Sequence, residues 1–364
     1  MLYQPGAHEQ LTDEQWNAER VRDAIHAIAA DAEATFDDGW PVHPADEAPD
    51  RMRAVYLGGA GVVDALCRLH EGGLVELARG YVPYLERSLT EPADFPDEDS
   101  RRSLWMGETG IRLVLQRLEP SPENLAELAS LISDNARDER RELMWGSPGT
   151  MLVARELGLD ELWEESAAWL RRQRDEDGIW QQDLYGERRR FLGPAHGWAG
   201  CVMGLGDGSG VAEAARRFAV EEEGLANWPP LADGDLVASN RDGAIRTQWC
   251  HGAPGIVASL ARFLDEELAL AGGELTWRAG PLGKGANLCH GTAGNGYAFL
   301  ALFQRTGDER WLARARAFAM HALGQVERAR STHGHGRYTL WTGDLGTALY
   351  LADCLEGKGE LPLP

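Results

Sequence analysis

Cationic charge, cysteine and long apolar runs are scarce in this chain, and each shortage argues against a class of function. The 364 residues carry 36 lysines and arginines against 58 aspartates and glutamates, a net charge of −22 and a pI near 4.9. Such a surface repels phosphate backbones, so no nucleic-acid partner is expected. No run approaches the ~18 apolar residues that would span a bilayer, so no membrane partner is expected either. The opening Met1-Leu2-Tyr3-Gln4-Pro5 lacks the basic-then-apolar order of a signal peptide. Five cysteines, Cys67, Cys201, Cys250, Cys289 and Cys354, are odd in number and widely spread. That usage suits a reducing compartment rather than a disulfide framework, and a cytoplasmic location is the expectation. Strand-like alternation is scarce as well. No stretch reads as an interdomain linker, so residues 1–364 are expected to form one domain.

Glycine, by contrast, is plentiful, and much of it is ordered. Gly-x-x-Gly recurs at Gly58–Gly61, Gly107–Gly110, Gly146–Gly149, Gly197–Gly200, Gly252–Gly255, Gly291–Gly294 and Gly343–Gly346, at intervals of 39 to 55 residues. Self-similarity at that period marks a repeat architecture. An apolar run follows each step, as in Ile256–Leu264, and amphipathic stretches such as Glu161–Leu170 and Glu309–Phe318 lie between steps. Their apolar residues recur at helical spacing. Each repeat therefore reads as an outer amphipathic helix plus an inner apolar one. The expected fold is all-α, an α/α toroid of about seven helical hairpins with Gly-x-x-Gly at the inner-helix N-termini. An open solenoid is the alternative, but it would expose the inner helices. A helix is expected from Thr12-Asp13 to about Ala34, and residues 88–102 read as an exposed loop.

Two steps carry Cys-His-Gly: Trp249-Cys250-His251-Gly252-Ala253-Pro254-Gly255 and Leu288-Cys289-His290-Gly291-Thr292-Ala293-Gly294. Closure of the ring would turn Cys250, Cys289 and His290 toward one point. Two thiolates and one imidazole are three ligands for a single Zn²⁺, with the fourth tetrahedral position open, as catalytic zinc sites require. Buried packing is the ordinary role of a free cysteine, but it does not account for a registered pair. His251 would close the site as a fourth ligand and is assigned beside it instead. The fourth step has histidine alone, in Ala195-His196-Gly197, at the position that His251 and His290 occupy in theirs. On a rim shared with a metal, His196 is a candidate general acid/base. Glu142, Arg246 and Lys284 precede the third, fifth and sixth motifs by four or five residues; each would otherwise be a solvated charge. His333 and His335 fall before the seventh step and read as part of a mobile rim loop.

These motifs together resemble the lanthionine synthetase C-like family. The resemblance rests on His196-Gly-x-x-Gly, Trp249-Cys-His-Gly-Ala-Pro-Gly and Cys289-His-Gly-Thr-Ala-Gly-Asn-Gly-Tyr, and the glycine pattern extends it over nearly the whole chain. It implies an α/α toroid with zinc on Cys250, Cys289 and His290 and with His196 as the acid/base. Glu142 stands where bacterial peptide cyclases have aspartate, and Arg246 matches their arginine; both are taken with His196 as catalytic. His251 replaces the tyrosine common in cyclases. With Glu142 and Lys284 it resembles the eukaryotic branch, which binds glutathione and is associated with adding it to dehydroamino acids. Lys284 and His251 are thus assigned to substrate binding. The implied reaction is zinc-dependent Michael addition of a thiol, glutathione or a peptide cysteine, to dehydroalanine or dehydrobutyrine in a dehydrated peptide. The chain has no room for a fused kinase-like or dehydratase domain, so a separate enzyme would supply that acceptor. Two rivals remain: a non-catalytic module binding zinc and glutathione, and a toroid acting on glycans. The latter needs paired carboxylates, which no rim motif offers.

Overall fold

Every Gly-x-x-Gly step starts a helix. In the computed structural model, residues 1–46, 48, 50–95, 98–233 and 243–364 are described. The seven inner helices are α2 (Gly59–Glu71), α5 (Glu108–Leu118), α7 (Ser147–Glu156), α9 (Trp198–Leu205), α11 (Ala253–Leu260), α13 (Thr292–Thr306) and α15 (Asp344–Glu356). Between them run the outer helices α1 (Ala18–Thr35), α3 (Val82–Ser88), α6 (Pro122–Asn135), α8 (Asp160–Arg172), α10 (Val211–Phe218), α12 (Glu266–Ala279) and α14 (Glu309–His333). One further turn, α4 (Glu98–Arg101), lies between α3 and α5. Composition sets the layer. Helix α9 buries nearly every residue, whereas α8 buries Ser166, Ala167, Trp169 and Leu170 and leaves its acids outside.

The second glycine of each motif explains why the inner helices close into a ring. A Cβ there would collide with the carbonyl six residues upstream, for instance that of Leu288 at Gly294. It would also press on the neighbouring repeat at 2.6–3.3 Å: Val55 against Gly110, Leu104 against Gly149, Leu143 against Gly200, Pro194 against Gly255, Trp249 against Gly294 and Leu288 against Gly346. Leu340, in the seventh repeat, stands in the same relation to Gly61 in the first. The series thus returns to its start. Inner helix α15 packs on α2, and the structure is an α/α toroid. At the level of the turns, Trp105, Trp249 and Trp341 fill the centre, with ring centroids 4.3–5.9 Å apart. Buried aromatic area of this kind is a large part of a core's stabilisation.

Three local features differ from expectation. Helix α1 starts at Ala18, because Asn17 caps it by accepting the Arg20 N–H (3.0 Å). Upstream, the Thr12 N–H donates to His321 Nδ1 instead (3.2 Å). Residues 1–14 form an arm over the later repeats: Met1 accepts from Ile245, Leu2 from Asn227, and Glu9 N–H donates to Pro281. His333 closes α14 as its last residue rather than lying in a loop, and Gly334 terminates the helix at φ +78°. Its ring packs on His43 at 4.6 Å, as does His335 at 5.3 Å. Two hairpins of three-residue strands are also present among the described residues: β1 (Gln182–Leu184) with β2 (Glu187–Arg189), and β3 (Val220–Glu222) with β4 (Leu225–Asn227).

Candidate functional site

The turns before the inner helices meet backbone to backbone. Cys250 N–H donates to the Cys289 carbonyl (3.1 Å), and Cys289 N–H to that of Trp341 (2.9 Å). Gly252, at φ +109°, permits the sharp entry into α11, and a side chain there would strike the Arg246 carbonyl. This lattice brings the Cys250 and Cys289 side chains into mutual hydrogen bonding, at 7% and 4% exposure. The pair is electrostatically unequal. The bond from Cys289 outweighs burial and, with Gln248, His196 and Lys284, lowers Cys250 to about 7. Cys289 is raised, by its bond to Cys250, by burial and by the Cys250 charge. The two thiols therefore titrate as one coupled pair.

His290, the third expected ligand, follows on the same turn, its backbone N–H bonded to Asn287 Oδ1 (3.0 Å). Its imidazole is lowered to about 4 by burial and by the positive charges of Lys284 and Arg337. Among the described residues, no three His, Cys, Asp or Glu side chains gather closely enough to hold a metal. Two of the three expected donors are thus together. In donor chemistry the set still fits Zn²⁺: two buried, hydrogen-bonded sulfurs and an imidazole on the adjoining residue.

Glu142 is fully buried and works through its neighbours. Its carboxyl oxygens accept backbone N–H groups from Met144 (3.1 Å), Trp145 (2.5 Å) and Gly146 (3.2 Å). The remaining capacity meets His196 Nδ1 at 3.0 Å. Nδ1 is the donor in that bond, which leaves Nε2 as the free ring nitrogen. Burial alone would lower His196, but the bond to Glu142 and the charges of Glu142 and Cys250 leave it raised. Glu142, expected among the catalytic groups, thus positions His196.

The remaining expected residues surround this core. His251 lies beside His196, ring centroids 6.0 Å apart, and burial together with His196, Arg246 and Lys284 lowers it to about 3. It is neutral at physiological pH. Arg246 is exposed and acts on His251 through its charge. Lys284 Nζ donates to Gln248 Oε1 (3.1 Å).

Comparisons with known proteins bear on the family and the fold. The family described as "Lanthionine synthetase C-like protein" matches residues 51–362. The chain belongs to the lanthionine synthetase C-like family. It is 32% identical over 183 residues to "Glutathione S-transferase LANCL1" of Danio rerio, across 46% of this chain and 44% of that protein. It is 44% identical over 82 residues to "LanC-like protein GCL1" of Arabidopsis thaliana, across 20% and 19%. The aligned stretches thus span less than half the length of these curated relatives. Nisin cyclase shares the fold, with a TM-score of 0.55 at 16% identity over 93% of this chain and all of that one.

This LanC-like chain also brings three side chains to the site that motif reading passed over. Tyr56, 9% exposed and stacked against Trp105 and Trp341, hydrogen-bonds the Cys289 side chain. Gln248 Nε2 donates to Cys250 Sγ (2.8 Å). Tyr185, 77% exposed at the β1–β2 tip, sets its ring 6.2 Å from His196. The repeat register held a signal for two of them. Tyr56 lies two residues before its glycine, as both cysteines do, and Gln248 four before, as Glu142 does. Tyr185 has no repeat equivalent; only the Tyr185-Gly186 step, with both φ angles positive, marks a hairpin turn.

Proposed function

We propose that this protein adds the thiol of glutathione to a dehydroalanine or dehydrobutyrine residue, forming a thioether. The observation that carries the reading is the buried Cys250–Cys289 pair beside a histidine whose orientation Glu142 fixes. The 32% identity to a relative named as a glutathione S-transferase favours glutathione over a peptide cysteine as the donor. Cys250, Cys289 and His290 would hold one Zn²⁺, which when bound deprotonates a coordinating thiol and keeps its sulfur nucleophilic.

The chain's own groups account for the rest. His196, through Nε2, accepts the thiol proton and returns it to the α-carbon. The S–Cβ bond forms, the alkene electron pair moves to the neighbouring carbonyl as an enolate, and protonation at Cα completes a balanced addition. Lys284 and Arg246 stabilise the enolate oxygen or a substrate carboxylate. Neutral His251 packs beside His196 without competing for that proton. Glu142 keeps the ring from turning; truncating it leaves buried amide donors unpaired, at about 1–3 kcal/mol each.

Incubation of zinc-loaded protein with a dehydroalanine peptide and glutathione tests the reading by mass spectrometry. The expected product is the peptide plus one glutathione. A ring with no mass gain and a blocked thiol, formed from a peptide with its own cysteine, would make the protein a cyclase. Turnover of neither substrate would replace addition with thiol binding alone.

A further inference from the structure

One side chain outside the expected set ties Lys284 to the site's sulfur pair. Gln248 is 6% exposed, and its backbone N–H and C=O both exchange hydrogen bonds with His251 at 3.1 Å. Its side chain is therefore projected from a fixed base. The orientation of the amide is determined by chemistry. An ammonium can only donate, so Oε1 faces Lys284 at 3.1 Å, and the NH₂ group is left for Cys250 Sγ at 2.8 Å. The bridge joins the fifth and sixth turns at their side chains, just as the Cys250–Cys289 bond joins them at the backbone.

Composition gives this contact independent weight. The chain has only two lysines, Lys284 and Lys358; arginine supplies every other permanently cationic side chain. Lys358 is paired with the Glu356 carboxylate. Lys284 forms no ion pair among the described residues, although 58 acids are available in the sequence. A neutral amide oxygen holds an ammonium without cancelling its charge, so that charge remains for an incoming anion. Lysine also presents a compact point charge, where an arginine fork would need two acceptors.

We propose that Gln248 is a positioning residue that fixes the Lys284 ammonium relative to the Cys250 sulfur, so that the site selects thiols carrying a carboxylate. This rests on the thiol-addition reading and names the feature of the thiol that the site recognises. Gln248 touches neither reacting atom; it sets the placement of the sulfur and of the charge.

Because there are two lysines, acylation reports directly on the bridge. Full-length, metal-free protein is treated with acetic anhydride, and labelling of Lys284 relative to Lys358 is read by peptide mass spectrometry. Gln248→Leu is expected to raise that ratio several-fold, and Gln248→Glu, which retains an acceptor for the ammonium, to leave it low. An unchanged ratio in Gln248→Leu overturns the bridge whether or not the protein adds thiols. Thermal unfolding of each variant shows that it is folded, and Gln248→Glu alone decides if the leucine variant is not. With Co²⁺ as the probe, loss of the donor to sulfur in either variant should weaken binding by about tenfold or more. In turnover, the wild-type preference for glutathione over 2-mercaptoethanol should shrink in Gln248→Leu through KM. A preference that survives intact overturns the selection role. A wild-type protein that adds no thiol overturns the addition reading instead, while the labelling ratio still judges Gln248.

Discussion

At Glu142 one carboxyl group both shapes a turn and orients a base, and the histidine it orients titrates accordingly. His196 has a folded value raised above the 6.5 of a free imidazole, since Glu142 and Cys250 outweigh the opposing burial. A raised folded value means that the pair's stabilisation is complete below the unfolded value and is lost as pH climbs through the folded one. Urea unfolding as pH rises above the 6.5 of a free imidazole should therefore show stability declining in the wild type and a flatter profile in His196→Gln. Thioether formation should fall at least about 100-fold in the same variant; a rate equal to wild type would remove His196 from the chemistry. The cysteines and His196 were legible in the sequence because the cysteines stand two residues, and His196 one residue, before a motif glycine. Glu142 was legible as a position but not as a role. Nothing in a linear sequence says that its oxygens meet three amides of their own turn. Gln248 and Tyr56 stood in register too, yet a lone glutamine or tyrosine declares no chemistry until its partner is known.

The inner helix start is the element on which the fold depends. Gly294→Ala would drive a methyl group into the Leu288 carbonyl and leave it 3.1 Å from Trp249 Cβ. Overpacking a rigid contact costs about 1–3 kcal/mol, so a lower Tm is expected by thermal denaturation. Gly6→Ala, where nothing lies within 4 Å, should leave Tm unchanged. The glycine steps revealed all seven inner helices because each collision is local and repeats. The start of α1 was misplaced because Thr12 and Asp13 resemble a cap, whereas the Asn17 side chain supplies the actual one. The hairpins escaped notice because three residues are too few to display a period of two.

Over the whole molecule, closure rests on Leu340 meeting Gly61, so the first and last repeats are neighbours and neither is an end. A closed ring has no fraying terminus, and an open repeat array does. Hydrogen exchange in α2 and α15 should thus be as slow as in α11; fast exchange confined to those two helices would indicate an open ring. The arm of residues 1–14 adds a second long-range constraint. His8 Nδ1 bonds the Gly280 carbonyl (2.8 Å), and Gly283 N–H donates to Ala7, immediately before Lys284. Deleting residues 2–10 should speed exchange at 282–285 and weaken glutathione binding, with a smaller effect at α7.

That arm also fixes an order of events during synthesis. Its partners lie at Asn227, Ile245, Gly280, Pro281 and His321, so a nascent chain emerges with its first segment unmatched. Translation proceeds at about 5–20 residues per second. The arm therefore waits about 10–60 seconds before a surface exists to receive it. Residues 1–14 are made well before their partners and find their place late, and the loop bearing Lys284 is braced only when they do.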